Sequence, residues 1–474
     1  MPSIQELLKL GQEAMAQGHW PQAAQFFGSV VQRQSQHAGA WHNLGVSSLA
    51  LGKAHTAIEA CDKAFTLSNN LWQSQLIKGK ASYQLGLIDQ AQRSFVSVLH
   101  ADPSNAPARV ALADLYMNRL GQPLKASQLV QPLLQQPEYR EDAELTQLMA
   151  GLYDRDASAD EHNARVMAFS RRSLRLDADT NERLTRQKKQ RSAEIVRKRP
   201  RVGLISPQFC VSPVYFLTIE GWQHVAKGCD IVVFNRGHNQ DWATEKFQKL
   251  ASQWHNVQEM SAQHLAQELL DADIDVLYDL GGWMDPVALK ALSIKPARKM
   301  FKWVGGQSVT TGLESFDGWI GDTWQSPDRL QYLYSEPLVN IAQGYAHYTP
   351  PSYMPAIPHT KRDQPVIFSN PAKLSRAFLK HLQTIKGRKC FIHRQFQFAA
   401  ARENILNFLD PSEVEFICPQ NHQEALHMLG QHKTMLDTFP YSSGLTAREA
   451  QAMGVKVIAK AGLLFCERHT ARLV

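Results

Sequence analysis

The chain has 474 residues, of which 44% are hydrophobic and 20% are charged, and its formal net charge is +7. This length predicts about three domains, and no stretch approaches the ~18 uninterrupted apolar residues that a membrane-spanning helix requires. The first twenty residues form an amphipathic pattern without the features of a secretion signal, so we expect a cytoplasmic protein with no transmembrane segment.

The cysteines agree with a reducing compartment. They are scattered, with no CxxC pair and no His/Cys spacing suited to zinc, so we expect neither disulfides nor a structural metal. The six are Cys61, Cys210, Cys229, Cys390, Cys418 and Cys466.

The positive charge is concentrated in one segment. Residues 183–201 hold nine Lys and Arg residues and a single acid, Glu194, so this segment carries +8 and the remaining chain −1. A broad nucleic-acid-binding face would distribute its basic residues, so we expect no nucleic-acid partner. The segment is interpreted as part of a solvated helical linker over 155–200, with attraction to an anionic partner or membrane surface as the alternative.

Small residues recur at a step of 34 residues in the first part of the chain. This period is typical of tetratricopeptide (TPR) repeats, pairs of antiparallel helices that stack into a concave superhelix and bind peptides or partner proteins. The recurring positions are Gly11, Gly45 and Gly79; Gly18, Gly52 and Gly86; and Ala23, Ala57 and Ala91.

The same step sets the repeat boundaries. It predicts units over 4–37, 38–71 and 72–105, and a fourth over about 106–140. We expect the last helix of the fourth unit to continue to about residue 154, which gives a TPR domain over 1–154.

From residue 201 onward, short apolar runs alternate with helical patterns. This alternation predicts parallel sheets with right-handed crossovers, here two doubly wound lobes over 201–345 and 346–474 with a cleft between them. The predicted strands are 201–206, 230–235, 274–280 and 301–306 in the first lobe, and 365–369, 389–393, 414–418, 434–439 and 455–460 in the second.

The stretch 436–454, LDTFPYSSGLTAREAQAMG, predicts a strand, a polar turn and a helix that starts near Thr446. Backbone N–H groups at that helix start would form an anion site suited to a diphosphate. Glu449, one turn into the helix, could accept hydrogen bonds from a ribose diol. Alternatively, Thr446 and Glu449 form a capping box and only satisfy helix-end donors.

A second candidate site lies in SNPAKLSRAF, 369–378, where a strand is followed by a loop and a helix. The ammonium of Lys373 could neutralise a leaving diphosphate there, and Arg376 could assist. The alternative is a surface lysine that precedes a helix. In the first lobe, glycine loops at 279–286 and 303–312 follow strands, and the carboxylate of Asp279 faces either the cleft or a helix start.

These residues, in this order, resemble the O-GlcNAc transferase family and its relatives, the bacterial adhesin N-glycosyltransferases. The resemblance covers about 200–474, and TPR repeats ahead of two lobes match the layout of O-GlcNAc transferases. It implies a GT-B fold, a nucleotide-sugar donor, inversion at the anomeric carbon, and no metal or other cofactor. The matching stretches are RVGLISPQF, DVLYDLGGW, KPARKMFKWVGGQSVTTG and DGWIGDTWQSP in the first lobe, and PAKLSRAFL and LDTFPYSSGLTAREAQAMG in the second.

The resemblance also implies roles for single residues. Lys373 looks like a phosphate-binding lysine, Arg376 falls on a donor-binding arginine, and Glu449 falls on a ribose-binding aspartate. Asn421 lies in the segment that holds the base. The diphosphate-binding turn corresponds to Ser443, Gly444, Leu445 and Thr446.

The chain departs from the family pattern in several places, and the usual turn of His/Asn and Thr residues reads Ser-Ser-Gly-Leu-Thr here. Ser212 precedes a proline where O-GlcNAc transferases carry histidine, and Glu449 is one methylene longer than aspartate. The residues leave the general base open between Asp279 and the sugar phosphate itself.

The sequence thus predicts a glycosyltransferase that moves GlcNAc or glucose from a UDP-sugar to Ser, Thr or Asn of a polypeptide held by the TPR groove, with self-association possible. The alternative is a non-catalytic TPR adaptor with a degenerate glycosyltransferase-like region.

Overall fold

The structure is a computed structural model that describes residues 2–189 and 197–474. The chain divides into two compact units. The first runs to Ala150 and includes Phe398–Arg402, and the second consists of Gly151–Gln397 and Glu403–Val474.

The first unit is helical, as the 34-residue step predicts. Consecutive helices pack in pairs, so the predicted TPR repeats are confirmed. The helices are α1 (Ile4–Ala16), α2 (Trp20–Arg33), α3 (Ala38–Ala50), α4 (Ala54–Leu67), α5 (Gln73–Gln84), α6 (Ile88–Ala101), α7 (Ala106–Asn118) and α8 (Pro123–Val130), followed by α9 (Arg140–Tyr153), whose last residues belong to the second unit.

The small residues of the repeat have two distinct structural purposes. A Cβ atom on Gly11 would lie 2.7 Å from the ring of Phe27, and one on Gly79 would lie 2.4 Å from the ring of Phe95. Glycine at these positions therefore lets the two helices of a repeat approach closely. The second glycine of each repeat, Gly18 in the first, lies in the turn between the helices at φ 72°.

One expectation for the fourth repeat is wrong. The helix that was expected to reach about residue 154 ends at Val130, and a 3-10 turn over Gln131–Gln135 follows before α9 begins. Pro132 and Pro137 explain the break, because proline lacks the N–H group that an α-helix needs and clashes with the preceding turn.

The second unit begins with two further helices, α10 (Ala159–Ser173) and α11 (Ala178–Lys189). Of the predicted basic linker, residues 190–196 lie outside the described residues. Arginines on either side of them are paired with acids: Arg186 with Glu182, and Arg199 with Asp230 at 2.7 Å. This pairing reduces the charge that the segment presents to an anionic partner.

A seven-stranded parallel sheet follows, with strand order β3-β2-β1-β4-β5-β6-β7. Its strands are β1 (Arg201–Ser206), β2 (Asp230–Asn235), β3 (Gln253–Asn256), β4 (Val276–Asp279), β5 (Lys299–Lys302), β6 (Gly318–Gly321) and β7 (Leu338–Asn340). The intervening helices are α12 (Pro213–Val225), α13 (Trp242–Leu250), α14 (Ala262–Asp271) and α15 (Pro286–Leu292).

A five-stranded parallel sheet forms the second lobe, with order β10-β9-β8-β11-β12. Its strands are β8 (Val366–Ile367), β9 (Lys389–Ile392), β10 (Val414–Ile417), β11 (Thr434–Leu436) and β12 (Lys456–Ile458). Its helices are α16 (Arg376–Gln383), α17 (Ala399–Leu406), α18 (His422–Gly430) and α19 (Leu445–Ala452).

Both sheets are doubly wound, and together with the helical repeats they confirm the predicted fold class, a TPR superhelix followed by a GT-B region. The five strands expected in the second lobe are all present. In the first lobe β3, β6 and β7 were not expected; β6 has the sequence GWIG, and its two glycines weaken a strand pattern.

Candidate functional site

In the second sheet, β8 and β11 are neighbours, and the chain continues from them toward opposite edges of the sheet. Such a reversal of strand order opens a crevice beyond the carboxyl ends of the two strands, which is where doubly wound sheets bind ligands. The loop after β8 carries Lys373, and the loop after β11 carries residues 442–444 and leads into α19, which begins with Leu445 and Thr446. The topology therefore brings the two main sequence candidates together.

Lys373 reaches directly to the second of these loops. Its ammonium donates a hydrogen bond of 3.0 Å to the carbonyl oxygen of Ser442 and lies 4.5 Å from the centroid of the Tyr441 ring. Lys373 is therefore half-buried and hydrogen-bonded, and its role in binding a diphosphate stays a prediction. A cation is fixed at the switch point of the second sheet.

Burial lowers the pKa of Lys373 to about 8, while the nearby Asp437 carboxyl and Cys466 thiol act in the opposite direction. Burial and the neighbouring cations, Lys373 among them, also lower the pKa of His393 to about 4 and that of His469 to about 3. At neutral pH these histidines are uncharged, and Lys373 is cationic within this group.

The loop after β11 is held rigidly. The amide N–H and the hydroxyl of Ser442 both donate to the carbonyl of Cys466 at 2.8 Å. The buried carboxylate of Asp437 accepts from the N–H of Ser443 at 2.8 Å and from the hydroxyl of Thr470 at 2.6 Å. Burial raises the pKa of Asp437. These contacts fix the backbone that leads into α19.

The start of α19 presents unused donors. Gly444 is its N-cap without a side-chain hydrogen bond, and within the described residues the N–H groups of Gly444, Leu445 and Thr446 donate to no acceptor. The Ser443 hydroxyl is fully buried and likewise has no partner in that part of the chain. Four donors at one helix start form an arrangement suited to an anion.

The capping-box alternative for Thr446 and Glu449 is not realised. The helix begins one residue before Thr446, and Gly444 occupies the cap position. Glu449 is instead buried, at 1% exposure, and shares a hydrogen bond of 2.7 Å with Nε2 of His422. Its role in ribose binding stays a prediction.

His422 is the first residue of α18, and its other ring nitrogen contacts the hydroxyl of Tyr353 at 2.8 Å. The preceding residue, Asn421, is exposed and caps α18 by accepting from the N–H of Glu424 at 2.9 Å. Asn421 thus lies next to the Glu449 pair, in the segment predicted to hold the base, and that role also stays a prediction.

Arg376, the other predicted donor-binding cation, is engaged elsewhere. Its guanidinium forms ion pairs with Asp154 at 3.0 Å and with Asp156 at 2.9 Å, and its amide N–H donates to Asp154 at 2.8 Å. The hydrogen bond with Asp154 is the main cause of the raised pKa of Arg376. No pattern in the sequence indicates this contact, because the two residues are 222 positions apart.

Asp279 ends β4, next to β1 at the switch point of the first sheet. Its buried carboxylate accepts from the N–H groups of Gly281 and Gly282 at 2.8 and 3.0 Å, and the ammonium of Lys302 lies 3.6 Å away. Burial lowers the pKa of Lys302. These contacts shape the glycine loop after β4. Among the described hydrogen bonds, none joins Asp279 to Lys373 or to the residues that contact Lys373.

Ser212, which stands in place of the family histidine, is the N-cap of α12. Its hydroxyl donates to the carbonyl of Gln208 at 2.9 Å and does not cap the helix. The substitution therefore places a short, internally bonded hydroxyl at this helix start.

Several residues of the site were not expected from the sequence. Tyr441 contacts Lys373 through its ring and the hydroxyl of Ser308 at 3.0 Å through its own hydroxyl. Tyr153, at the end of α9, stacks on Tyr441 with centroids 4.9 Å apart. Tyr441 and Ser308 lie inside loops that the sequence singles out, 436–454 and 303–312, whereas no pattern in the sequence indicates Tyr153.

The fold and this switch point define the chain as a TPR protein with a GT-B glycosyltransferase-like region. A family model described as tetratricopeptide repeat matches residues 8–70. The chain is 19% identical to a solved mutant of the O-GlcNAc transferase of Thermobaculum terrenum, with a TM-score of 0.61 over 99% of this chain and 86% of that one.

Curated relatives with similar sequences are likewise named as glycosyltransferases. The chain is 23% identical over 285 residues to a Petunia hybrida protein and 24% identical over 285 residues to an Arabidopsis thaliana protein, each named "Probable UDP-N-acetylglucosamine--peptide N-acetylglucosaminyltransferase SPINDLY". Both alignments cover 55% of this chain, and they span 30% and 31% of those relatives. The resemblance to the O-GlcNAc transferase family is confirmed.

In the ranges that the structure describes, no helix is both long and apolar enough to cross a membrane. In the same ranges no three His, Cys, Asp or Glu side chains gather in a group that could hold a metal ion.

Proposed function

We propose that this protein is a glycosyltransferase that moves a sugar, GlcNAc or glucose, from a UDP-sugar to Ser, Thr or Asn of a polypeptide. One observation carries the proposal: the half-buried cation of Lys373 and the unused donors of residues 443–446 meet at the switch point of the second sheet. Such a group matches the charge and the acceptor oxygens of a diphosphate.

The proposed chemistry is displacement at the anomeric carbon, with inversion, and departure of the UDP diphosphate. Negative charge grows on the leaving phosphate as the bond to the sugar breaks. Lys373 and the positive end of α19 stabilise that charge without reorganising, because both are already held in place. The proposal therefore assigns to Lys373 and α19 the charge stabilisation that other transferases obtain from a metal.

The proton of the attacking group needs an acceptor. The carboxylate of Asp279 is engaged by Gly281, Gly282 and Lys302, and this arrangement gives its predicted role as general base no support. We assign to Asp279 the shaping of the glycine loop and to a phosphate oxygen of the donor the acceptance of the proton.

The acceptor polypeptide is assigned to the TPR unit, since stacked repeats present a concave surface to peptides. The relatives named as peptide N-acetylglucosaminyltransferases support a protein acceptor and GlcNAc as the first donor to test.

The test combines UDP binding with sugar transfer. Isothermal titration calorimetry with UDP, and incubation with radiolabelled UDP-GlcNAc or UDP-glucose and a peptide library, should show binding and transfer by the natural chain. Lys373→Met should lose both. Lys380→Met, which removes an exposed lysine from α16, is the matched control and should keep both.

The non-catalytic adaptor is the other outcome of the same experiment. If the natural chain, with its native circular dichroism spectrum, neither binds UDP nor transfers sugar, and Lys373→Met behaves identically, the transferase proposal is wrong. Binding of UDP without transfer from either donor would leave a nucleotide-regulated adaptor.

A further inference from the structure

Residues 153–156, which we call the junction segment, comprise the last residue of α9 and the three residues that follow it, and they lie outside the loops predicted to bind the donor. We propose that the junction segment positions Lys373 for the donor diphosphate, so that it determines donor affinity although it does not touch the donor. The inference rests on the proposed function. Two of its residues contact a support of Lys373 directly, and Arg155 acts on a third support through the residue that follows Cys466.

The first support is the Tyr441 ring. Tyr153 stacks on this ring almost in parallel, with an interplanar angle of 11° and a centroid distance of 4.9 Å. The Lys373 ammonium lies 4.5 Å from the centroid of the same ring. The Tyr441 hydroxyl also contacts Ser308, and the His469 ring lies tilted at a centroid distance of 6.0 Å, so Tyr153 is the near-parallel contact that supports the plane of the ring.

The second support is the Ser442 carbonyl, which accepts the hydrogen bond from Lys373. Ser442 is itself fixed by the carbonyl of Cys466. The neighbouring Glu467 forms an ion pair with Arg155, and the side-chain exposures of Arg155 and Glu467 are only 12% and 4%. Arg155 thereby holds the turn that contains Cys466 and Glu467, and that turn fixes Ser442.

The third support is the start of α16, which follows the Lys373 loop. Asp154 is 10% exposed and accepts both the amide N–H and the guanidinium of Arg376, the first residue of that helix. Arg376 therefore ties the loop to the junction segment. This contact gives the arginine a positioning role in place of the predicted contact with the donor.

The contacts of the junction segment all lead to the surroundings of one side chain, Lys373, and this distinguishes positioning from ordinary packing. Three neighbouring residues contact the ring, the turn and the helix that surround one ammonium. The charged and titratable groups that act on Lys373, or that it acts on, are Asp437, Cys466, His393 and His469. None of them lies in the junction segment, so a change there alters the location and solvation of Lys373 without removing a charge that acts on it.

The experiment compares Tyr153→Ala with the conservative Tyr153→Phe. The first readout is the dissociation constant of UDP by calorimetry. The second is the apparent pKa of Lys373, measured from the pH dependence of its acetylation by acetic anhydride with mass spectrometry. Tyr332→Ala, which removes a tyrosine that is 61% exposed, is the matched control.

We expect Tyr153→Ala to weaken UDP binding about tenfold and to raise the pKa of Lys373 from about 8 toward its ordinary value, because water reaches the ammonium. Tyr153→Phe keeps the stack and should retain both values, as should Tyr332→Ala. If Tyr153→Ala folds and neither value changes, the inference is overturned.

If Tyr153→Ala does not fold, Asp154→Asn tests the same inference. It keeps the hydrogen bond to the Arg376 N–H but removes the ion pair at position 154, while the pair with Asp156 remains, and it should weaken UDP binding about threefold. Unchanged UDP affinity in that variant would also overturn the inference. If the natural chain does not bind UDP, the proposed function is wrong, but the positioning of Lys373 by the junction segment is not thereby tested. The pKa of Lys373 in the variants tests that positioning separately.

Discussion

The ammonium of Lys373 donates a 3.0 Å hydrogen bond to the carbonyl of Ser442, across the switch point of the second sheet. The contact joins the loops after two neighbouring strands and holds a half-buried cation beside a helix start with unused N–H groups. The position of this cation accounts for the proposed affinity for a diphosphate. It also lowers the stability of the folded state, because burial disfavours the charged ammonium.

Replacing Lys373 should separate these two effects. Lys373→Met should weaken UDP binding by about 2 kcal/mol or more, roughly 30-fold, because a buried diphosphate loses its cationic partner. The melting temperature of the ligand-free variant should be equal or higher at pH 7, since the depressed pKa shows that the folded state disfavours the ammonium. Calorimetry and thermal unfolding measure the two quantities; a large fall in melting temperature would contradict the second.

UDP affinity should depend on pH through the same group. Lys373 binds the diphosphate as an ammonium, so affinity is highest below its pKa of about 8 and falls as the pH rises through that value. The pKa values of His393 and His469, about 4 and 3, lie too low to contribute there. Calorimetry between pH 6.5 and 9.5 should show this decline in the natural chain, and a flat profile for Lys373→Met.

Two adjacent serines make a matched pair. Ser443→Ala removes a buried hydroxyl without a partner in the described residues, so it should cost no stability and weaken UDP binding by about 1 kcal/mol, near fivefold. Ser442→Ala removes hydrogen bonds to Cys466 and from His469, and should lower the free energy of unfolding by about 1–3 kcal/mol. Equal loss of stability in the two variants would argue against an unpaired Ser443.

The role predicted for Glu449 can be tested with altered nucleotides. If its carboxylate binds the ribose, the natural chain should prefer UDP to 2′-deoxy-UDP, and Glu449→Ala should reduce the preference. Inorganic pyrophosphate should bind both proteins equally, because it occupies only the diphosphate part of the site. A preference unchanged by Glu449→Ala would restrict Glu449 to its contact with His422.

The repeat glycines give a prediction for the first unit. Gly79→Ala should destabilise it by about 1–3 kcal/mol, because the new Cβ would meet the Phe95 ring at 2.4 Å. Gly28→Ala is the control: nothing lies within 4 Å of its Cβ position, and alanine should stabilise α2 by up to about 1 kcal/mol. Chemical denaturation with circular dichroism measures both.

The sequence predicts those parts of the fold that depend on local periodicity. The glycine step predicts the TPR repeats, and strand ends followed by polar loops predict that Lys373 and Ser443–Thr446 lie at one edge of a sheet. Pro132 shows what was overlooked locally, since it ends the helix that was expected to continue.

The rest of the site depends on contacts between distant parts of the chain. Neither the pairing of Arg376 with Asp154 nor the stacking of Tyr153 on Tyr441 leaves a pattern in the sequence near either partner. The same holds for the contact between His422 and Glu449, which joins the start of α18 to the middle of α19. Such contacts come from the packing of elements, and periodicity in one segment does not encode them.

The most direct test of the central claim is transfer of radiolabelled sugar from UDP-GlcNAc and UDP-glucose to a peptide library, by the natural chain, Lys373→Met and Lys380→Met in parallel. We expect labelled peptide with the natural chain and with Lys380→Met, and no labelled peptide with Lys373→Met. Equal labelling by Lys373→Met, or no labelling and no UDP binding by the natural chain, would contradict the central claim.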